Sequence, residues 1–392
     1  MNNPKIEKTL KSVFFSSLLE SKKYRFDIPI PESLKQIIRI FSKNKKECFL
    51  VGGAVRDAIM GKAPKDYDIC TNAHPDDVIK IMKEYPQFKL LEVGKQFGVI
   101  IIVDSSGEEF ECATYRKDIG SGRRPDAVEF TTIENDVLRR DLTINSLVYD
   151  PIRHEIVDYV GGIDDIKNNV VRTVGNPDQR FAEDRLRVLR AFRFAGRLHS
   201  KLDPATAASI KNDNSLSGVS PERIRDEFLK GIKSAKSVIY FLNMLNEFDM
   251  FLQIFPGLEV NKDFEETRNV PVQLALLLRM NDPIVLAAKL NSLKYSADEV
   301  SQITFLVDFG NSNFDMPILR MKKSYKNSRL SNQDLLEYCS MLNLTSVQMA
   351  EKFLSFEITV KSADLMNKGF SGKSLGDEMV RLEQLNWIDY IH

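Results

Sequence analysis

The sequence predicts an α+β protein: a head with a small mixed sheet and helices, followed by a long all-helical remainder. Two observations carry this. Short strand-like runs punctuated by Gly and Pro recur within residues 47–172, whereas beyond about residue 235 no strand-like alternation is found. There the apolar runs Tyr240–Leu245, Val272–Leu278, Ile284–Leu290 and Val300–Val307 read as helical. With 392 residues the chain is long enough for two or more domains, each with its own core. The expected divisions are an N-terminal arm over 1–46, a head over 47–172, a helical neck over 173–235 and a helical body and tail over 236–392.

Lysine and arginine total 55, as do aspartate and glutamate, so any anion-binding surface has to come from segregation of charge. Cys48, Cys70, Cys112 and Cys339 are scattered without a C-x-x-C pair. They read as buried thiols of a reducing, cytoplasmic protein, with neither zinc nor disulfides expected. No run is long and apolar enough for a membrane span. His74, His154, His199 and His392 form no pair, which argues against a His-Asp phosphohydrolase or a Ser-His-Asp arrangement.

In the arm, Lys5, Lys8, Lys11, Lys22 and Lys23 precede a helix expected from Glu32 or Ser33 through Ile37, Ile38 and Phe41. A packing arm is the preferred reading and an RNA-touching basic arm the alternative. The head opens with a strand over Cys48–Val51, stopped by Gly52 and Gly53, and a short helix over Val55–Met60. Strand, Gly-Gly, helix suits an anion, because glycines let backbone N–H groups approach it and the helix start adds positive charge. After Gly61 and Pro64, a second strand is expected to carry Asp66 and Asp68 on one face, a hard-oxygen pair suited to a divalent cation. Taken singly, these are also the marks of an ordinary turn and a solvated acidic strand end.

A helix follows from Pro75, then strands over Lys89–Val93 and Val99–Val103 joined as a hairpin. The strand Glu109–Tyr115 carries Glu111, either a third acidic ligand or a solvent-facing residue. Residues 117–127 read as a polar loop. In Arg139-Arg140-Asp141-Leu142-Thr143-Ile144-Asn145-Ser146-Leu147, two arginines suit triphosphate oxygens, and Asp141 or Asn145 suits a ribose hydroxyl. A surface salt bridge is the plainer alternative. Val157–Ile166 reads as closing the head, with Arg172 structural. In Arg180–Ala195, Phe181, Leu189 and Phe192 form a core face of one continuous helix, with Asp184 and Arg187 as i,i+3 neighbours and Arg190 and Arg193 nearby. Ser220-Pro221 opens a further helix. Arg320, Lys322, Lys323, Lys326 and Arg329 form the clearest basic cluster, either RNA-phosphate contacts or a solvated helix end.

Together, Leu50–Thr71, Phe110–Arg116, Arg139–Leu147, Val157–Ile166, Arg180–Ala195 and Ser220–Phe228 resemble the motif set of the class II tRNA nucleotidyltransferases (CCA-adding enzymes) and their bacterial poly(A) polymerase relatives. The likeness covers roughly residues 48–232 by motif. It implies a polymerase-β-like head followed by all-α neck, body and tail. It also implies template-independent addition of CCA to the tRNA 3′ end from CTP and ATP, with Mg²⁺ in a two-metal site.

By this resemblance Asp66, Asp68 and Glu111 are catalytic, with Asp66 and Asp68 holding metal. Gly52, Gly53, Arg56, Arg139, Arg140, Asp141, Asn145, Asp184, Arg187, Arg190 and Arg193 meet the nucleotide. Asp184, which only accepts, and Arg187, which only donates, complement the amine and ring nitrogen of cytosine and adenine but not uracil or guanine. Arg320, Lys322, Lys323 and Lys326 are expected at the RNA. In the family the loop at 117–127 separates full CCA addition from CC addition. The alternatives are a CC-adding or A-adding half-enzyme, a poly(A) polymerase, a catalytically silent RNA-binding module and, least suited to the long helical tail, a small-molecule nucleotidyltransferase.

Overall fold

The computed structural model describes residues 21–119, 127–312 and 317–392. The expectations for Lys5, Lys8 and Lys11, and for most of the loop at 117–127, lie outside the described residues. The chain divides into two compact units, the first ending at Asp213 and the second beginning at Asn214.

The first unit is built on strands β1 (Lys22–Arg25), β2 (Phe49–Val51), β3 (Asp68–Thr71), β4 (Lys89–Leu91), β5 (Val99–Val103), β6 (Glu109–Thr114), β9 (Val148–Asp150) and β10 (Glu155–Asp158). They form one sheet in the order β1-β10-β9-β2-β3-β6-β5-β4. All neighbours are antiparallel except β3 and β6, so the sheet is mixed, as expected. Strands β7 (Arg116–Ile119) and β8 (Ala127–Phe130) pair separately. The basic stretch at Lys22 and Lys23 is an edge strand, where lysines discourage pairing with another chain. With α1 (Glu32–Lys43), which buries Leu34, Ile37, Ile38, Ile40 and Phe41, it makes the described part of the arm a packing element.

Strand alternation separates two faces. Leu50, Ile69, Phe110, Cys112 and Tyr149 join the main core with α1, α2 (Gly53–Ile59) and α3 (Pro75–Met82). Val51, Cys70 and Val148 point the other way, onto Ile133 and Val137 of α4 (Ile133–Leu138). Asp68 shares the parity of Cys70, and Glu111 is offset by one from Phe110 and Cys112. Both acids therefore lie on this second face.

Beyond β10 come α5 (Gly162–Lys167), β11 (Val170–Val171), α6 (Pro177–Glu183), α7 (Leu186–Leu198), β12 (Lys201–Leu202) and α8 (Pro204–Asn212). Asp158 fastens α5 by accepting from the N–H groups of Val160, Gly161, Gly162 and Ile163 at 2.8–3.1 Å. Arg172 is structural, as read: it bridges Asp165 at 3.1 Å and Asp203 at 2.7 Å. All four cysteines are buried free thiols.

In the second unit every described regular element is a helix, which agrees with the patterning beyond residue 235. Its first helix, α9 (Pro221–Ser234), starts at the Ser-Pro pair, although Ser220 makes no side-chain cap bond. Gly231 lets α9 meet α10 (Val238–Glu247), since a Cβ there would stand 2.2 Å from the Phe241 ring. No described helix is long and apolar enough to cross a membrane.

Candidate active site

The site begins where β2 ends. Gly52 takes φ +72 and ψ −128, a conformation open essentially to glycine, and swings the chain from the strand into α2. A Cβ built on Gly52 would lie 3.8 Å from both Asp68 Oδ2 and Arg140 Nη1, so an acid and a guanidinium flank the turn. Pairing of β3 with β6 starts at Ile69–Cys112, and Asp68 and Glu111 each stand one residue before it. The Asp68 carboxyl is open to solvent yet ringed by protein. Desolvation, then Glu111, then Asp66 push it up to about 6, against the pull of Arg140.

Asp66 departs from expectation. Strand β3 starts at Asp68, and Asp66 lies in the bend before it. Strand β2 ends at Val51, the partner of Asp68, and the pairing with β6 begins only at Ile69, so Asp66 is paired on neither side. Its nearness to Asp68 therefore comes from the bend and not from strand alternation.

Arg139 and Arg140 follow the last turn of α4 and converge on one buried carboxylate, Asp136. Arg139 donates through Nε at 3.0 Å and Nη2 at 2.7 Å to Oδ1; Arg140 donates through Nε at 3.3 Å and Nη2 at 3.0 Å to Oδ2. Burial pushes the Asp136 carboxyl up, but Arg140 and Arg139 outweigh it and hold it low. Sequence reading passed over Asp136. Its signal was an acid three and four residues before two arginines at a helix end. Arg140 Nη1 also reaches the Asn145 carbonyl at 3.5 Å. Asp141 accepts from Leu142 N–H at 2.8 Å and from Arg190 Nε at 2.6 Å. Burial raises its pKa, yet Arg190 brings the net shift down.

Arg56 is turned inward. It is 2 % exposed, stacks over Phe194 at 5.1 Å and donates to Asp57 at 2.7 and 2.9 Å and to the Asn145 side chain. Asp57 in turn accepts from Arg197 of α7 at 3.1 Å. Arg197, Asp57, Arg56 and Asn145 thus form a chain from α7 to the start of α2 and the segment after Arg140. Arg56, expected at the nucleotide, donates instead to protein partners.

The helix over Arg180–Ala195 is broken, in contrast to the continuous one expected. Helix α6 ends at Glu183, Asp184 is extended (φ −153, ψ 106), and α7 starts at Leu186. The cause is Asp184 itself, whose carboxylate accepts from Leu186 N–H at 3.1 Å and competes with helix continuation. Asp184 and Arg187 flank this break and are not neighbours on one helix surface. Arg187 pairs with Glu183 and donates to the carbonyls of Arg180 at 3.1 Å and Arg139 at 3.3 Å. The plain ion pair is therefore present, and it ties Arg187 to the arginine segment. Arg193 lies over Phe194 at 4.2 Å.

Asp66, Asp68 and Glu111 offer carboxylate oxygens only, and Asp68 is pushed toward its neutral form by burial first and then by the other two acids. A hard divalent cation matches that donor chemistry and would relieve the repulsion. Among the described residues no three acidic, His or Cys side chains converge closely enough to hold an ion.

In the second unit the basic cluster is divided. Arg320, Lys323 and Lys326 are exposed on the helix Ile318–Ser328, whereas Lys322 is half-buried over the Phe353 ring at 4.7 Å. Arg329, just past the helix, pairs with Asp298 at 3.3 Å.

Comparison with known proteins agrees with this architecture. Residues 48–172 match the poly A polymerase head domain, and residues 201–261 match the family described as "Probable RNA and SrmB- binding site of polymerase A". The chain is 36% identical to poly(A) polymerase I of Salmonella typhi over 238 residues, 58% of this chain and 50% of that one. It is 38% identical to the CCA-adding enzyme of Bacillus licheniformis over 231 residues, 58% of this chain and 56% of that one. The chain thus spans about half the length of these curated relatives. In fold it is similar to the Bacillus stearothermophilus CCA-adding enzyme solved with CTP, with TM-score 0.64 and 23% identity over 90% of this chain and 91% of that one. The head, residues 48–172, thus belongs to the poly A polymerase head-domain family, and the relatives the chain matches include both CCA-adding enzymes and bacterial poly(A) polymerases.

Proposed function

We propose that this protein adds CCA to the 3′ end of tRNA from CTP and ATP without a nucleic-acid template. The observation that carries the reading is the flanking of the Gly52 turn by Asp68 and Arg140. An acidic centre and an anion-binding group stand on either side of one backbone turn. In the reaction, the terminal 3′-oxygen bonds to the α-phosphorus, the bond to the β-phosphate oxygen breaks, and pyrophosphate departs as the hydroxyl proton is lost. Asp66 and Asp68, with Glu111 as the third acid of the centre, would hold Mg²⁺ in a two-ion site, which would supply charge neutralisation to the reaction.

Arg139 and Arg140, with the Gly52–Gly53 backbone, bind the triphosphate. Asp141 and Asn145 orient the ribose side of the pocket, with Arg190 and Arg193 flanking it. Asp184 and Arg187 select the base: the break between α6 and α7 takes Asp184 out of the helix, Arg187 stands in the first turn of α7, and Glu183 fixes the direction of Arg187. Arg56 acts through Asp57 and Asn145 in shaping the pocket wall. Arg320, Lys323 and Lys326 are the RNA contacts best supported by exposure, with Lys322 packed behind them.

The similarity to poly(A) polymerase I sustains one other reading, the same head used with ATP alone. Asp66→Ala tests the chemistry: it abolishes incorporation of every nucleotide and leaves tRNA binding nearly intact. A parallel loss of tRNA binding in that variant would count against the assignment.

A further inference from the structure

We infer that Asp136 is a positioning residue for triphosphate binding, holding Arg139 and Arg140 as one aimed pair. This rests on the reading of those two arginines as the triphosphate clamp. Adjacent guanidinium groups repel, and long side chains lose rotamer entropy when fixed on a ligand. A carboxylate that takes both removes that cost before the nucleotide arrives, which is what preorganisation means at an anion site.

The geometry is specific. Asp136 Oδ1 takes the Nε–Nη2 edge of Arg139, and Oδ2 takes the same edge of Arg140. For Arg140, occupying that edge directs Nη1 to the Gly52 turn, 3.8 Å from where a Cβ would stand. Asp136 is 1 % exposed, so water competes little for its oxygens. Its Oδ1 also accepts from the backbone N–H of Arg116 at 3.2 Å, which fixes the carboxylate from the strand side. Two guanidinium groups on one carboxylate leave the clamp with a net positive charge for the incoming phosphates.

A purely architectural role would be to fasten α4 to β7, and nucleotide kinetics distinguish the two. Asp136→Asn keeps the shape but replaces one acceptor oxygen with an amide donor facing a guanidinium. The expected result is a rise of about tenfold or more in KM for both CTP and ATP, with KM for tRNA within about twofold of the parent. In an Arg139→Ala/Arg140→Ala background, the same substitution adds less than about twofold, because the groups it acts through are gone. A folded Asp136→Asn protein with unchanged nucleotide KM, or an equal effect in the arginine-free background, overturns the inference. An unchanged nucleotide KM in the double arginine variant alone refutes the clamp reading beneath it. Should Asp136→Asn melt below the assay temperature, Asp136→Glu gives the same test, since it keeps the charge and displaces it by a methylene. Raised nucleotide KM in that variant supports the role, and unchanged KM overturns it.

Discussion

Replacing Gly52 and Gly53 with alanine, one at a time, separates conformation from space at the turn. At Gly52 a Cβ meets nothing closer than 3.8 Å, so the cost of Gly52→Ala is conformational. A non-glycine residue held at φ +72, ψ −128 costs about 1–3 kcal/mol. For a unit of this size that lowers the melting temperature by about 2–4 °C per kcal/mol, or about 2–12 °C in all. Gly53 has no positive φ, and its Cβ would sit 3.6 Å from Arg56 Nη2, an ordinary contact. Gly53→Ala should therefore stay within about 0.5 kcal/mol of the parent. The assay is thermal unfolding of both variants by circular dichroism, followed by nucleotide KM. Both methyl groups intrude on the proposed phosphate approach, so KM rises in each while stability falls in only one. Equal melting temperatures, or Gly53→Ala as the less stable of the two, would refute this account of the turn.

Further predictions concern the head and the base selector. Gly162→Ala would put a Cβ 2.3 Å from the Thr143 carbonyl oxygen, and the backbone shift it forces should cost about 1–3 kcal/mol in chemical denaturation. The Asp68 carboxyl, raised from 3.8 to about 6, takes up a proton on folding between those values. Its contribution to stability is thus present below about pH 4 and is lost as pH rises through 6. A cation at this site must displace that proton below pH 6, so the stabilisation given by Mg²⁺ in thermal melts should grow from pH 5 to pH 7.5. A Mg²⁺ effect independent of pH over that range would contradict the role of Asp68. Arg187→Ala should weaken CTP and ATP incorporation and shrink discrimination against UTP by about 100-fold or more, read by single-nucleotide incorporation. Retained discrimination would leave Arg187 with only its Glu183 ion pair.

Much of the head was legible because its signals are local. Leu50 and Val51 before Gly52, the Val99–Val103 run and the Glu109–Thr114 alternation each announce a strand, and the parity of Phe110 and Cys112 already sets Glu111 on the opposite face. The departures come from partners distant in sequence or from side chains competing with the backbone. Strand β3 loses Asp66 because β2 ends opposite Asp68 and β6 pairs only from Ile69, which β3's own residues do not encode. Asp184 breaks its helix by capping Leu186, although Glu183 to Arg187 read as helical spacing. Arg56 turns inward because Asn145, 89 positions away, and Asp57 receive its donors. The basic cluster was visible as composition, but Phe353, which takes Lys322 out of the exposed set, lies outside its helix.

The measurement that tests the central claim most directly is extension of a tRNA transcript ending at its discriminator base, with Mg²⁺ and with CTP alone, ATP alone or both, resolved to single nucleotides. CCA synthesis predicts two additions with CTP and a third only when ATP is also present. A long ladder with ATP alone would transfer the assignment to poly(A) synthesis, and no addition under any mixture would contradict nucleotidyl transfer to tRNA altogether.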